Sequence, residues 1–179
     1  MLDQSKTLDV LNSFGKTVVR QAKNNLRKKK KLASKNLDKS LKYETKVSKN
    51  SFEFDLFAED YWQYVDAGVK GVGGTKASGK KWKKKLVTNN KFKYKNKKPP
   101  IMAFNGWTIR KGIAPRSKGG QFTKRRGLLF AIATSVYHTG LETTNFLTKP
   151  FEKEFKELPD ELIEAYALDM DKFLEFTIQ

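Results

Sequence analysis

Ten lysines fall within residues 80–98: Lys80, Lys81, Lys83, Lys84, Lys85, Lys91, Lys93, Lys95, Lys97 and Lys98. Ammonium groups at this density neutralise phosphates or carboxylates and release counterions; they make and break no bonds. Trp82, Phe92 and Tyr94 stand among them. Aromatic faces beside cations offer base stacking or a surface for a neighbouring protein. Arg125 and Arg126 close a second basic stretch at 113–126. From residue 67 to residue 141 the chain carries 19 Lys and Arg and no Asp or Glu. The candidate contacts with a DNA backbone or an acidic partner are therefore the ten lysines with Arg125 and Arg126.

Bond-making chemistry finds little to use. There is no cysteine, hence no thiolate and no disulfide framework. His138 is the sole histidine, with no acidic cluster near it in sequence, so neither a metal site nor a catalytic triad is expected. Gly71, Gly73, Gly74 and Gly79 precede the lysines, but the phosphate-cradling spacing that ends in Gly-Lys-Ser/Thr is absent. The expectation is a binding or structural component with no catalytic residue, cofactor or metal.

The net charge of +18 is uneven: +5 over residues 1–66, +19 over 67–141 and −6 over 142–179. A field this lopsided favours a polyanion or an acidic protein face and says little about fold. No apolar run approaches a membrane span, and the N-terminus lacks a signal-peptide core. No membrane partner is expected, and the chain is expected to be made and used in a cytoplasm unless it leaves inside a particle.

The elements that must carry these residues can be read from periodicity. Leu41, Tyr43, Thr45 and Val47 alternate with Lys42, Glu44 and Lys46; Phe52, Phe54, Leu56 and Ala58 alternate with Glu53 and Asp55. Period two with one apolar face predicts two half-buried strands. A two-residue turn at Lys49-Asn50 pairs Val47 with Phe52, Thr45 with Phe54, Tyr43 with Leu56 and Leu41 with Ala58, all on one face. Phe57 falls on the polar face without an explanation.

Residues 5–32 predict a long helix with a stripe of Leu8, Leu11, Phe14, Val18, Ala22 and Leu26 and a cap from Ser5 or Asp3. The basic run 27–31 suits either the helix C-terminus or an acidic or nucleic-acid contact. Residues 33–39 read as a connector. Residues 59–68 read as a short helix closed by Gly68, whose Tyr61, Trp62 and Tyr64, with Trp82, Phe92 and Tyr94, are the candidate subunit contacts.

The segment 69–98 reads as an arm that cannot bury itself and stays mobile until neutralised, with a short hairpin around Asn89-Asn90. Pro99-Pro100 ends it. Short and apolar helices follow at 101–111 and 128–139, the latter with a stripe of Leu129, Ile132, Ala133, Val136 and Tyr137. Another helix begins at 150–157, and Pro159 opens a last one. Leu162, Ile163, Tyr166, Met170, Phe173 and Leu174 are its expected apolar face, although 173–178 also suits an added strand. The fold expected is α+β: an antiparallel hairpin or small sheet packed by a long N-terminal helix and C-terminal helices. The expectation is one domain over 1–179, with the 69–98 arm inserted in it.

Several segments, in order, resemble one family. They are Ser-Lys-Asn-Leu-Asp-Lys-Ser-Leu at 34–41 and Glu-Asp-Tyr-Trp-Gln-Tyr-Val-Asp-Ala-Gly-Val-Lys-Gly at 59–71. Trp-Thr-Ile-Arg-Lys-Gly-Ile at 107–113, Phe-Ala-Ile-Ala-Thr-Ser-Val-Tyr-His-Thr-Gly at 130–140 and Asn-Phe-Leu at 145–147 follow. The chain resembles the neck, or tail-completion, proteins of tailed bacteriophages over most of its length outside 76–98. Asn36 stands where that family often has Gly. The resemblance implies a structural virion protein, part of the head–tail connector, that forms a homo-oligomeric ring around the DNA channel. Its implied partners are portal, adaptor or tail proteins, with sequence-blind contact to viral DNA. It carries over no catalytic residue. The competing expectation is a basic, sequence-nonspecific nucleic-acid-binding protein of ribosomal or chromatin type. Against that reading, no recognition-helix, zinc-knuckle or RNP pattern is present.

Overall fold

The structure, a computed structural model, describes residues 5–29, 35–48, 51–88 and 91–178, with side chains described to residue 171. The chain is α+β and divides into two compact units, one of residues 1–29, 36–59 and 146–179, the other of 30–35 and 60–145.

In the first unit the stripe of Leu11, Phe14, Val18, Ala22 and Leu26 becomes the buried side of α1 (Ser5–Lys28). Against it lies the hairpin of β1 (Lys42–Ser48) and β2 (Ser51–Phe57). The expected register holds: Val47 opposes Phe52, Thr45 opposes Phe54 and Tyr43 opposes Leu56. Leu41 and Ala58 stand one step beyond the ladder. Pairing reaches Ser48 and Ser51, and the turn at Lys49 and Asn50 lies outside the described residues. Phe14 meets Phe54 edge-on at 5.1 Å, and Tyr43 stacks on Phe54.

Gly15 makes that closeness possible. A Cβ there would overlap the Tyr43 ring and reach Phe54. A mid-helix glycine normally costs about 1 kcal/mol against alanine; here it admits the hairpin to the helix surface. On the outer face Lys46 lies within salt-bridge distance of both Glu53 and Asp55. These exposed pairs contribute little. Phe57 remains exposed beside Lys42 and Glu59, in a shallow cleft that Asn36 and Lys39 also line.

Three expectations change in this unit. The stretch read as a connector holds a one-turn helix, α2 (Asn36–Ser40), because Leu37 is buried in the core. The last helix, α7 (Leu158–Ile178), runs through residues 173–178 as helix, not strand. Its buried face is Leu158, Ala165 and Asp169, while Ile163 and Tyr166 are exposed. The apolar residues alone suggested a different face, because the position facing α1 is occupied by a carboxylate. Asp169 Oδ2 accepts from the Thr7 backbone N–H at 2.9 Å and the Thr7 hydroxyl at 2.8 Å; Oδ1 accepts from the Lys6 N–H at 3.2 Å. A side chain 162 residues away thus satisfies the open donors of the first turn of α1. Among the proposed local caps, Asp3 lies outside the described residues. Between α1 and α7 in sequence, α6 (Thr148–Phe155) adds Phe151 against Phe14. There Gln21 Nε2 donates to Glu154 Oε1 at 2.8 Å, which holds the Glu154 carboxyl below its ordinary range.

The second unit begins with α3 (Trp62–Ala67), closed by Gly68 as expected, and β3 (Val69–Lys70). A 3₁₀ turn (Ile101–Phe104) runs into α4 (Asn105–Arg110), and α5 (Arg125–Thr139) passes directly into β4 (Gly140–Leu141). Strands β3 and β4 pair antiparallel, Val69 with Leu141 and Lys70 with Gly140. Two residues per strand leave too short a periodic signal for this sheet to be read from sequence. Thr143 and Thr144, both buried, finish the job at the end of α3. Their hydroxyls donate to the carbonyls of Ala67 and Val65, and the Thr144 and Asn145 N–H groups donate to the Asp66 carbonyl. The helix-end acceptors are thereby paired.

Candidate polyanion interface

The basic segment follows the edge of the second unit as a strap. Its backbone is hydrogen-bonded along much of its course. Val72 N–H donates to the Tyr137 carbonyl, Gly73 N–H to His138, Lys85 N–H to Thr139, and Thr143 N–H to Leu86. Further on, Lys70 N–H donates to the Phe92 carbonyl and Tyr94 N–H to the Lys70 carbonyl. The expected mobile arm is therefore corrected: the segment is docked on its own chain. The hairpin expected around Asn89-Asn90 turns on two residues that are not among those described. Residues 92–94 pair with β3, Lys93 bridging Lys70 in parallel sense.

The interleaved aromatics do the docking. Trp82 stacks on His138, rings 5.0 Å apart and 3° from parallel. His138 Nδ1 is hydrogen-bonded to the Gly73 carbonyl. The lone histidine is a packing and anchoring group, and among the described residues no three His, Cys, Asp or Glu side chains gather into a metal-binding group. Phe92 lies 4.5 Å from Tyr64, Tyr94 lies 5.9 Å from Tyr137, and the Tyr137 hydroxyl donates to the Lys95 carbonyl. Composition alone suggested mobility because it counts charge and overlooks this spacing. Three aromatics, at 82, 92 and 94, turn inward, and with the backbone hydrogen bonds they fix an extended chain.

With the aromatics turned in, the lysines are left on the surface. All ten candidate lysines are exposed, and Arg125 and Arg126 are exposed in the first turn of α5. Two cations at that end oppose the helix dipole at a cost of about 0.3–1 kcal/mol each, which a bound anion would offset. Trp82, Phe92 and Tyr94, read as subunit contacts, are half-buried in their own chain; Tyr61 and Tyr64 stay exposed and Trp62 half-buried.

Lys91, Lys93 and Lys95 meet Tyr64, Phe92 and Tyr94 in one shallow groove floored by Val69 and Leu141. Lys91 Nζ lies 5.4 Å from the Phe92 ring and 3.3 Å from Gln63 Oε1. Burial pushes the Tyr94 phenol up from its ordinary value. Cations alternating with ring faces match the requirements of a nucleic-acid strand, with phosphates on the lysines and base planes on the rings.

A feature the sequence reading missed is a pair of matching turns. Lys76 N–H donates to the Lys80 carbonyl and Gly79 N–H to Lys76; Ser117 N–H donates to Gln121 and Gly120 N–H to Ser117. Thr75 bridges Lys81 as Arg116 bridges Phe122. Gly79 and Gly120 sit at φ of 77° and 82°, the left-handed position that a three-residue hairpin loop requires. Each turn also carries a cation over a ring: Lys76 Nζ 4.6 Å from Trp82, and the Arg116 guanidinium 4.3 Å from Phe122. The cue in sequence is a glycine followed within three residues by an aromatic, Gly79 before Trp82 and Gly120 before Phe122.

Among the described residues no helix is long and apolar enough to cross a membrane. Comparison with protein-family models, with curated proteins and with solved structures finds no match.

Proposed function

We propose that this chain is a structural protein of a tailed-bacteriophage particle, a neck or tail-completion component. In this reading, copies of the chain form a ring around the DNA channel at the head–tail junction. The chain is made in the host cytoplasm and ends in the virion, against portal, adaptor or tail proteins. It has no enzymatic role and no cofactor. Two things support the reading: the ordered motifs that resemble the family, and the way the strap is built. The observation that carries it is that ten lysines lie exposed on a backbone held by its own aromatics. A cationic surface fixed in this way attracts phosphate at every sequence and reads none.

The test is native mass spectrometry and particle imaging of the full chain mixed with a portal complex. The expected result is a closed ring on the connector. A strict monomer that never joins the connector would overturn the proposal.

The groove of Tyr64, Phe92 and Tyr94 favours a second reading, a sequence-nonspecific nucleic-acid-binding protein of ribosomal or chromatin type. It predicts strong binding by the isolated chain, with an affinity that falls as salt rises by a slope of about −0.9 per phosphate contact.

A further inference from the structure

We propose that the turn carrying Phe122 is a knob that inserts into the apolar groove along α7 of a second copy of this chain. The inference rests on the ring reading above and supplies the contact that reading needs.

The knob is well defined. Phe122 is 70% exposed, yet its ring is not loose. The Arg116 guanidinium covers one face at 4.3 Å, and Arg116 is itself tied to the Gly120 carbonyl. Lys118, Lys124, Arg125 and Arg126, all exposed, lie within four residues of it along the chain, and no acidic residue occurs between 67 and 141. An ordered aromatic ring left in water is an unfavourable arrangement that burial would relieve.

The groove is its counterpart. Phe52, Leu162, Ile163, Tyr166 and Ala167 line it. Phe52 meets Tyr166 edge-on at 5.9 Å, and Ile163 is 70% exposed. At 3.6 residues per turn, Asp160, Glu164 and Asp171 run along one flank of Ile163 and Ala167, and all three are exposed. An apolar groove flanked by carboxylates thus complements an apolar knob flanked by cations in both polarity and sign.

Nucleic acid would satisfy the cations alone and would be repelled by the carboxylates flanking the groove. A second copy satisfies both surfaces at once. The two patches differ, so the contact is head-to-tail, and such contacts close into rings when the rotation between neighbours allows.

The absence of cysteine from the 179 residues gives a clean test in the whole chain. Gln121→Cys places one thiol beside the knob, and Ala167→Cys places one in the groove. The two variants are mixed and oxidised with diamide. The expected product is a disulfide-linked pair containing one of each. Adding Phe122→Ala to the first variant should lower its yield about tenfold or more, as loss of a central aromatic anchor does. An unchanged circular-dichroism spectrum would show that the fold is retained. Oligomers by native mass spectrometry without the mixed cross-link would overturn this contact and leave the ring reading standing. A monomer would overturn both. A cross-link indifferent to Phe122→Ala, or a Phe122→Ala chain that loses DNA affinity but assembles normally, would also overturn the proposal.

Discussion

Replacing Asp169 by alanine should unfold the first unit at markedly lower denaturant. Asp169 is 1% exposed, and its carboxylate receives three donors: Lys6 N–H, Thr7 N–H and the Thr7 hydroxyl. Loss of a helix N-cap costs about 0.5–2 kcal/mol, and a hydrogen bond to a charged acceptor contributes about 1.5–3 kcal/mol. These overlap, because removing the carboxylate also removes the cost of burying it. A net loss of about 3 kcal/mol is expected. The orphaned donors set its scale, since Thr7 is as deeply buried as its acceptor and water cannot replace the lost partner.

With a urea slope of about 1–3 kcal/mol per molar, the midpoint should fall by about 1–3 M. Asp169→Asn keeps one oxygen acceptor and should lose less. Thr7→Val removes the hydroxyl donor alone and should cost about 1 kcal/mol. Urea titration followed by far-ultraviolet circular dichroism reads all three. If Asp169→Ala shifted the midpoint by less than about 0.5 kcal/mol in free energy, the long-range cap would not be holding the first turn of α1, and the reasoning would fail.

Two other measurements bear on the same structure. Gly15→Ala should destabilise by about 1–2 kcal/mol, because the overlap of a new Cβ with Tyr43 and Phe54 outweighs the helix-propensity gain. Gly127→Ala, in open space on α5, should be neutral or stabilising by up to about 1 kcal/mol; equal signs from the two would refute the close approach of hairpin and helix. In a spectrophotometric titration Tyr94 should ionise above the ordinary tyrosine value, and Tyr94→Phe should remove that late phase. Because burial favours the neutral phenol, the stability linked to Tyr94 is intact below the ordinary tyrosine value of about 10. It is lost as pH rises through the raised folded value.

Much was legible in the sequence because it depends on local periodicity. The stripe of α1 and the alternation at 41–58 each select one face, and a one-residue slip in the hairpin would have exposed Tyr43 and Phe54. The register therefore followed from the residues alone, as did the closing of α3 at Gly68. The concentration of cations between 67 and 141 was equally plain, since charge is a sum over residues and requires no geometry.

Tertiary structure decided what periodicity does not encode. Asp169 is polar and had no claim to a core position until α7 met the open N–H groups of α1. Sheet β3–β4 is too short to announce itself, and it forms because residues 69–70 and 140–141 are brought side by side. The strap is the clearest case. Its lysines suggested a chain held apart by its own charge, but Trp82, Phe92 and Tyr94 found partners in His138, Tyr64 and Tyr137. The first two partners lie 56 and 28 residues away along the chain, and the third 43. Contacts at such separations are set by how the elements of the second unit fold together, so sequence could supply the charges while only the folded chain could show which groups stay exposed.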